Sequence, residues 1–334
     1  MVKNKWLIMT ADNSPSRSLI ISEAAGVPGA LGPELEEAAG YARAEKSAAT
    51  RRAYRSDFDL FRAWCEVKHV PALPAEAKTV AAFLAAEANR GVKASTIGRR
   101  LAAIRYAHKL AGHEPPTNSE AVKATLRGIR RTAGSAPARK APATADRIVV
   151  MANRAGRDPK GVRDRALLLL GFAGAFRRSE LVALNVEDLQ FCDGGLRVTI
   201  RKSKTDQEGV GATIGIVSGS AACPVNAVRD WIEKLGKVDG PLFRPVSSAG
   251  KISNRRLSGR AVADLVKTYA RRAGLKAADF SGHSLRSGFL TSAAARGASI
   301  FKMMDVSRHK SIDTLRGYVR DAELFRDHAG NGLL

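Results

Sequence analysis

The sequence predicts a mainly α-helical protein with one small antiparallel β-sheet, divided into two domains. Apolar side chains recur at helical spacing through most of the 334 residues. Leu196, Val198 and Ile200 alternate with polar residues, as in a strand with one buried face. A segment without periodicity separates two periodic regions, and the length suffices for two cores. The expected division is a partly ordered arm over 1–45, a helical domain over 46–132, a basic linker over 133–144 and a second domain over 145–334.

The charge balance points to a polyanionic partner. The chain has 55 Lys and Arg against 32 Asp and Glu, a net charge of +23. A compact protein repels itself at such a charge, so a nucleic acid is the first candidate partner. An anionic membrane surface and simple solubility are the alternatives, and composition does not separate DNA from RNA.

Several classes of protein are disfavoured. Cys65, Cys192 and Cys223 are odd in number and lack Cys-x-x-Cys spacing, which favours reduced thiols in a cytosolic protein. The six histidines do not pair with them at zinc-ligand spacing. The apolar stretch 6–9 is too short for a secretory signal, and the 11-residue run 166–176 predicts a buried helix, not a membrane span. We expect a cytoplasmic protein without a metal, a cofactor or a membrane partner.

Four helices are predicted in the first domain. The first, at about 48–69, carries Tyr54, Phe58, Phe61 and Cys65 on one face. The others are placed at about 79–88, from Ser95 as N-cap, and from Ser119 as N-cap.

The last of these helices divides into an apolar face and a basic stripe. Lys123, Arg127, Arg130 and Arg131 follow one another at helical spacing with no acidic residue between them. Such a stripe suits DNA phosphates, the alternative being an ordinary solvated face. The other candidate DNA contacts of this domain are Arg51, Arg52, Lys93, Arg99, Arg100, Arg105 and Lys109.

The second domain is predicted to combine helices with a β-hairpin. Its expected elements are helices at about 145–156 and 162–175, the strand around 196–200, a turn at 206–209, a strand at 210–217, helices from Pro224 and from the N-cap Ser258, and three helices within 284–328.

Candidate catalytic residues are scattered along this domain. Arg177 follows the long apolar run, where a charge is costly unless it meets an anion or an acid. An ion pair with Glu180 is the ordinary alternative. Lys204 is near the hairpin tip, where lysine is commonly just solvated. His283 and Arg286, three residues apart, share one helical face.

His309 and Tyr318 complete a set suited to phosphodiester chemistry. Tyr318 lies on a polar, basic segment, where it is not an obvious core residue. Two arginines can bind non-bridging phosphate oxygens and stabilise a pentacoordinate phosphorus. A tyrosine can attack that phosphorus, a lysine can protonate the leaving 5′ oxygen and a histidine can accept the phenol proton. No cluster of carboxylates that would hold Mg²⁺ is evident.

In order, these motifs resemble those of the tyrosine recombinase (phage integrase) family, over nearly the whole chain after residue 45. The motifs are FRRSEL, HSLR and RHKSIDTLRGY. The resemblance implies Tyr318 as nucleophile, Arg177, Arg286, His283, Lys204 and His309 as further catalytic residues, and Glu180 as a supporting acid. The family often has glycine immediately before the histidine, where this chain has Ser307-Arg308.

The first domain and one segment of the second resemble the Cre-like branch of this family. ASTIGRRLAAIRYAHKLAG and NSEAVKATLRGIRR are similar to its DNA-clamping helices, and RLSGRAV to the segment that places an arginine in the major groove. Arg260 is therefore a candidate base reader, and the remaining implied DNA contacts are Lys202, Arg255 and Arg256.

The resemblance implies a two-domain DNA clamp, built from a helical core-binding domain and an α+β integrase-type catalytic domain. It also implies a homotetramer on two double-stranded DNA sites of inverted-repeat form, a 3′-phosphotyrosine intermediate, a Holliday junction and no use of ATP. Accessory proteins stay an open alternative, as does a helix over 322–328 that packs into a neighbouring protomer.

Two other functions are weighed against recombination. A type IB topoisomerase uses a similar set of residues but relaxes any supercoiled plasmid, and the Cre-like first domain argues against it. A non-catalytic DNA-binding descendant of a recombinase is the second. The intact set of catalytic residues argues against that, because decay usually removes a member.

Overall fold

The computed structural model describes residues 32–134, 140–201, 211–219 and 222–322. The chain separates into two compact units, Met1–Pro137 and Ala138–Leu334. In the described residues no helix combines the length and the apolar character that a membrane span requires.

The described part of the first unit is helical. Its elements are α1 (Gly32–Ala44), α2 (Ala48–Val67), α3 (Ala77–Asn89), α4 (Ala94–Leu110) and α5 (Glu120–Ala133). The predicted N-cap Ser119 is confirmed, because its hydroxyl accepts a hydrogen bond from the Val122 amide at 3.4 Å. Ser95 was the wrong cap: α4 begins at Ala94 after Lys93, whose side chain makes no capping bond.

Aromatic side chains form the centre of the first unit. Phe58, Phe61 and Phe83 are at most 1% exposed. The rings of Phe61 on α2 and Phe83 on α3 meet edge to face with centroids 5.0 Å apart. The predicted apolar face of α2 is therefore the one that packs on α3 and α4.

The second unit combines eight described helices with one sheet. Its elements are α6 (Ala145–Asn153), α7 (Pro159–Ala173), α8 (Arg178–Ala183), β1 (Leu189–Cys192), β2 (Gly195–Ile200), β3 (Ala212–Ile216), α9 (Pro224–Leu235), α10 (Gly259–Arg272), α11 (Ser284–Ala295), α12 (Ile300–Ser307) and α13 (Ile312–Ala322).

The sheet is antiparallel with strand order β1-β2-β3. The alternation predicted for β2 is confirmed: Leu196, Val198 and Ile200 are at most 3% exposed, while the residues between them are exposed. Val198 pairs with Ile214 on β3. β1 was missed because this four-residue edge strand has no buried residue and so no apolar alternation. The predicted turn at 206–209 lies outside the described residues.

The apolar run 166–176 is buried, as predicted, and forms the end of α7 and the turn after it. Leu167, Leu168 and Leu170 are fully buried. α7 starts earlier than the periodicity suggested, at Pro159, because the Asp158 side chain accepts from the Gly161 amide at 2.9 Å and caps it. This buried helix places the segment that follows it, with Arg177, at the candidate active site.

Helix α11 is held close to the segment that precedes α6. The Ala143 amide donates to the Ser284 carbonyl at 2.9 Å. A Cβ on Gly288 would overlap the Ala143 backbone, so only glycine permits this approach. The approach fixes the start of α11, which carries two of the predicted catalytic residues.

Candidate active site and DNA-contacting residues

Arg177 is fixed by Glu180. The chain turns sharply after α7, with Ala175 in the left-handed region at φ 45°, and Arg177 then precedes α8 as its N-cap residue. The Arg177 amide donates to Glu180 Oε2 at 2.9 Å and its Nη1 donates to Oε1 at 2.6 Å. The ion pair considered as an alternative to a catalytic role is therefore present. This ion pair is compatible with catalysis. The Glu180 side chain is 1% exposed, whereas the Arg177 side chain stays 18% exposed and can still reach a bound phosphate.

Arg286 is tied to the same turn. It is 1% exposed on α11, and its Nη1 donates to the Ala175 carbonyl at 2.7 Å. Its Nη2 lies 3.1 Å from His309 Nε2. His283 occupies the N-cap position of α11, one turn before Arg286. The structure thus brings two distant arginine motifs and His309 together.

The hydrogen bonds around His309 define its tautomer. The Ser307 hydroxyl donates to the Met303 carbonyl at 2.5 Å, so its oxygen is left to accept from His309 Nδ1–H at 2.8 Å. His309 Nε2 then carries the lone pair, while Arg286 Nη2 lies 3.1 Å from Nε2 and 3.2 Å from Nδ1. The buried Ser307 therefore favours Nε2 as the ring nitrogen that accepts a proton, an arrangement that the sequence did not reveal.

A third arginine enters the cluster. Arg308 Nη2 donates to Glu180 Oε2 at 2.8 Å, and its guanidinium lies 5.2 Å from the centre of the Phe176 ring. The sequence showed it only as a residue in a place where the family often has glycine. The presence of Arg308 where the family often has glycine was the one signal in the sequence that could have pointed to this residue.

The electrostatics of the cluster favour an anion. Burial, followed by repulsion from Arg177 and Arg308, lowers the pKa of Arg286 to about 9. Burial would raise the pKa of Glu180, but Arg308 and the hydrogen bonds from Arg177 outweigh it and hold that pKa below its usual value. Arg177 and Arg308 bond to the Glu180 carboxylate, and Arg286 lies within electrostatic reach of it. Three guanidinium groups thus surround one carboxylate, so an excess of positive charge remains that a phosphate would neutralise.

Both histidines of the site are held in the neutral form. Burial, then repulsion from Arg286 and Arg177, lowers the pKa of His309 to about 4. The same causes, in the same order, lower the pKa of His283. A neutral imidazole near pH 7 can act as a proton acceptor.

Tyr318 is half-buried on α13 and belongs to a small apolar cluster with Leu290, Met303 and Leu315. Its phenol lies close enough to Arg286 to oppose, in part, the lowering of that arginine's pKa. The structure therefore brings Tyr318 to the cluster formed by the arginines and histidines. The predicted catalytic Lys204 and the predicted DNA contact Lys202 lie outside the described residues.

Comparison with known proteins identifies the family. The model described as "Phage integrase family" matches residues 141–324, more than half of the chain. This chain is a member of the phage integrase family of tyrosine recombinases. The model described as "Phage integrase, N-terminal SAM-like domain" matches residues 41–114.

Several curated tyrosine recombinases are similar over most of their length. An integrase/recombinase xerD homolog of Selenomonas ruminantium is 38% identical over 297 residues, which are 86% of this chain and 87% of that protein. Tyrosine recombinase XerC of Syntrophus aciditrophicus is 30% identical over 80% of this chain and 86% of its own. Recombinase cre of Escherichia phage P1 is 26% identical over 78% and 80%. The family assignment makes this chain an enzyme of a family that cleaves and rejoins DNA.

Solved structures show the same fold. A lambda integrase(75-356) dimer bound to a COC′ core site superposes with a TM-score of 0.60 at 21% identity, over 85% of this chain and 92% of that one. A XerH recombinase bound to a palindromic difH substrate gives a TM-score of 0.56 at 15% identity, over 77% and 72%. The predicted fold class, mainly α with a small antiparallel sheet, is confirmed.

The arginines of α4 that were predicted to touch DNA have partners within the first unit. Arg99 makes two hydrogen bonds to the carboxylate of the buried Asp57, at 2.7 and 3.0 Å. Arg100 pairs with the buried Glu87, and its side chain is only 14% exposed. Arg105 donates to Thr117 Oγ1 at 3.1 Å and also to Asn118. These contacts tie α4 to α2, to α3 and to the residues before α5, so Arg100 in particular serves the interior of this unit.

The basic stripe of α5 is exposed. All four of its residues face solvent, while Val122 is buried and Leu126 and Ile129 contact the core. Arg127 pairs with Glu120 in the first turn, so an acidic residue does neutralise part of the stripe. Lys123, Arg130 and Arg131 form its remaining positive surface, and Arg52, Lys93 and Lys109 are also exposed.

The candidate contacts of the second unit differ from one another in their surroundings. Arg256 Nη1 donates to the carbonyls of Val182 at 2.6 Å and Leu184 at 3.0 Å, which fastens it to the end of α8. Arg260 has an 85% exposed side chain and one ion pair at 3.2 Å, to Asp264. Arg255 is exposed. Of these, Arg260 and Arg255 offer their side chains to a ligand.

Replacing His309 should change how stability depends on pH. An unfolded histidine titrates near 6.5, whereas folding holds the pKa of His309 at about 4. The unfolded chain thus binds more protons between these values, and stability falls as the pH is lowered from 6.5 to 4. We expect thermal unfolding midpoints between about pH 7 and pH 4.5 to fall less for His309→Gln than for the wild type. The exposed His113→Gln is the control, and equal pH dependence in all three proteins would contradict the buried neutral state.

Neutralising the stripe should reduce the salt dependence of DNA binding. Each phosphate contact that is lost lowers the slope of log K against log[salt] by about 0.9. We expect a reduction of about one unit for Arg130→Gln, measured by fluorescence anisotropy on duplex DNA. Lys78→Gln removes a charge that is 83% exposed and paired with Glu76, and it serves as the matched control. Equal slopes for the two variants would place α5 away from the DNA.

Proposed function

We propose that this chain is a site-specific tyrosine recombinase whose Tyr318 cleaves and rejoins DNA strands. The observation that carries this proposal is the buried excess of positive charge, made by Arg177, Arg286 and Arg308 around one carboxylate, next to the Tyr318 phenol. A scissile phosphate is an anion of the size and charge that such a cluster would bind.

Strand cleavage would proceed by attack of Tyr318 Oη on the phosphorus. The phenol gives up its proton to one of the two neutral histidines as the new P–O bond forms. The bond from phosphorus to the 5′ oxygen breaks, and Lys204 protonates that oxygen in the role that the family resemblance implies for it. Arg177 and Arg286 bind the non-bridging oxygens, where negative charge develops in the pentacoordinate transition state.

Rejoining would be the reverse of the same step. The 5′ hydroxyl of a partner strand attacks the phosphorus of the 3′-phosphotyrosine and gives its proton to Lys204. The bond from phosphorus to Tyr318 breaks as the histidine returns its proton to the phenol oxygen, and the phosphodiester is restored. Because the phosphotyrosine retains the energy of the cleaved bond, no ATP is required. We propose that four protomers hold two double-stranded sites of inverted-repeat form, with two protomers active at a time, and that exchange passes through a Holliday junction.

The two units would have different tasks in DNA binding and strand cleavage. In the proposed division, residues 46–132 bind the core of the DNA site, 133–144 link the domains and 145–334 carry the chemistry. The exposed stripe on α5 supplies phosphate contacts, and Arg260 is the proposed reader of bases in the major groove. The protein would act on nucleoid DNA in the cytoplasm.

A covalent adduct is the direct test. Wild-type protein and Tyr318→Phe are incubated with labelled DNA from regions flanking the gene, including nicked fragments that trap the cleaved strand. We expect denaturing gels to show a protein–DNA adduct for the wild type and none for Tyr318→Phe, with equal DNA binding, because phenylalanine lacks the attacking oxygen.

The matched control is Tyr41→Phe, which changes a tyrosine that is 77% exposed and should keep the adduct. An adduct that persists in Tyr318→Phe would refute the assignment of the nucleophile. Specific binding without any adduct would favour a non-catalytic DNA-binding protein. Relaxation of plasmids that lack a target site would favour a topoisomerase.

A further inference from the structure

Arg308 has a backbone conformation that side chains rarely adopt. At φ 58° and ψ 41° it lies in the left-handed region, at the end of α12 and directly before His309. Glycine reaches this region without steric cost, whereas arginine needs contacts that hold it there. Contacts of the Arg308 side chain must therefore hold its backbone in this region.

The Arg308 side chain is anchored at several points. It is 9% exposed, its Nη1 donates to the Gly174 carbonyl at 3.2 Å, and its Nη2 lies 3.4 Å from the Ala175 carbonyl. Nη2 also donates to Glu180 Oε2 at 2.8 Å, and the guanidinium lies over the Phe176 ring. One side chain thus connects the segment that carries His309 to the turn and the helix that carry Arg177.

Glu180 is shared between two arginines. Oε1 accepts from the Arg177 guanidinium, while Oε2 accepts from the Arg177 amide and from Arg308. The carboxylate can hold Arg177 in one orientation only if its second oxygen is fixed as well. Arg308 and the Arg177 amide fix that second oxygen.

The same turn also receives Arg286. Its Nη1 donates to the Ala175 carbonyl, which Arg308 approaches from the other segment. Arg308 is therefore linked to both arginines that would bind the phosphate, to one through Glu180 and to the other through Ala175. Because it is largely buried, it acts through these neighbours and does not reach the substrate.

We propose that Arg308 is a positioning residue of the active site, which orients Arg177 through Glu180 and holds the left-handed turn that presents His309. This inference rests on the proposed function. It assigns a role to a residue that begins the motif RHKSIDTLRGY but is not among the predicted catalytic residues, at a place where a glycine would give the same backbone but no anchor.

The experiment compares Arg308→Gly and Arg308→Lys in the full chain. Glycine can adopt the same turn but removes the anchor and one buried partner of Glu180. We therefore expect a lower melting temperature, DNA binding close to wild type and adduct formation slower by roughly 10- to 100-fold. Arg308→Lys keeps the positive charge and one donor nitrogen, so it should restore part of the cleavage rate that Arg308→Gly loses. Arg296→Gly, an exposed arginine at the end of α11, is the matched control and should cleave at the wild-type rate.

A double-mutant cycle with Glu180→Gln tests the route of action. If Arg308 acts through Glu180, Arg308→Gly should slow cleavage much less in the Glu180→Gln background than in the wild type. Losses that multiply would overturn the proposal, as would an Arg308→Gly protein that cleaves at the wild-type rate. A large fall in melting temperature with an equal loss of DNA binding would reduce Arg308 to a folding role.

A second measurement does not depend on catalysis. Histidine-selective ¹³C labelling reports the tautomer of His309, assigned with His309→Gln. We expect Nδ1–H in the wild type and in Arg296→Gly, and a mixture of tautomers in Arg308→Gly, because without the anchor the turn no longer holds the His309 ring against the Ser307 hydroxyl. An unchanged tautomer would contradict the proposal. If the wild type forms no adduct, the proposed function fails, while the tautomer still decides the role of Arg308.

Discussion

The arrangement of the second unit around its site depends on one buried carboxylate, that of Glu180. An ionised carboxylate that is 1% exposed is stable only where its oxygens are met by charges and donors. Here two arginines and a backbone amide meet them. In return, Glu180 offsets part of the repulsion among three guanidinium groups that lie within reach of one another. Without this acid, neither the placement of Arg177 nor the burial of Arg308 would be favourable.

Two residues with left-handed backbone meet at this point. Ala175 and Arg308 both have positive φ, at a cost of roughly 1–2 kcal/mol for each non-glycine residue. A hydrogen bond to a charged group contributes about 1.5–3 kcal/mol. The Ala175 carbonyl accepts from Arg286, and Arg308 donates to Glu180, so these bonds can offset the cost. The strain lies where the segments of Arg177 and His309, both predicted catalytic residues, come together, because a sharp turn is needed to direct both side chains toward one space.

The first unit uses its arginines in two different ways. Arg100 and Arg99 neutralise Glu87 and Asp57, which are at most 2% exposed, and so hold helices together. Within the part of the chain that the structure describes, the stripe on α5 has Glu120 as its one acidic partner, at Arg127, and its other charges face solvent. A net charge of +23 does not distinguish these uses. Only the exposed set can contribute strongly to long-range attraction of a polyanion, since the buried pairs largely cancel.

The sequence by itself determined the helical character of both units, the strand at Leu196 to Ile200 and the family to which the chain belongs. These follow from periodicity and from residue types in a fixed order, which are local or one-dimensional signals. It did not reveal β1, in which Leu189 alone packs against the core, or the start of α4, where a plausible cap at Ser95 was not used. Tertiary structure alone decided that Arg308 shares Glu180, that Ser307 sets the His309 tautomer and that Arg100 faces inward. The physical reason is that each of these contacts joins groups whose proximity depends on how helices pack and on which charges packing buries, and spacing along the chain does not encode either.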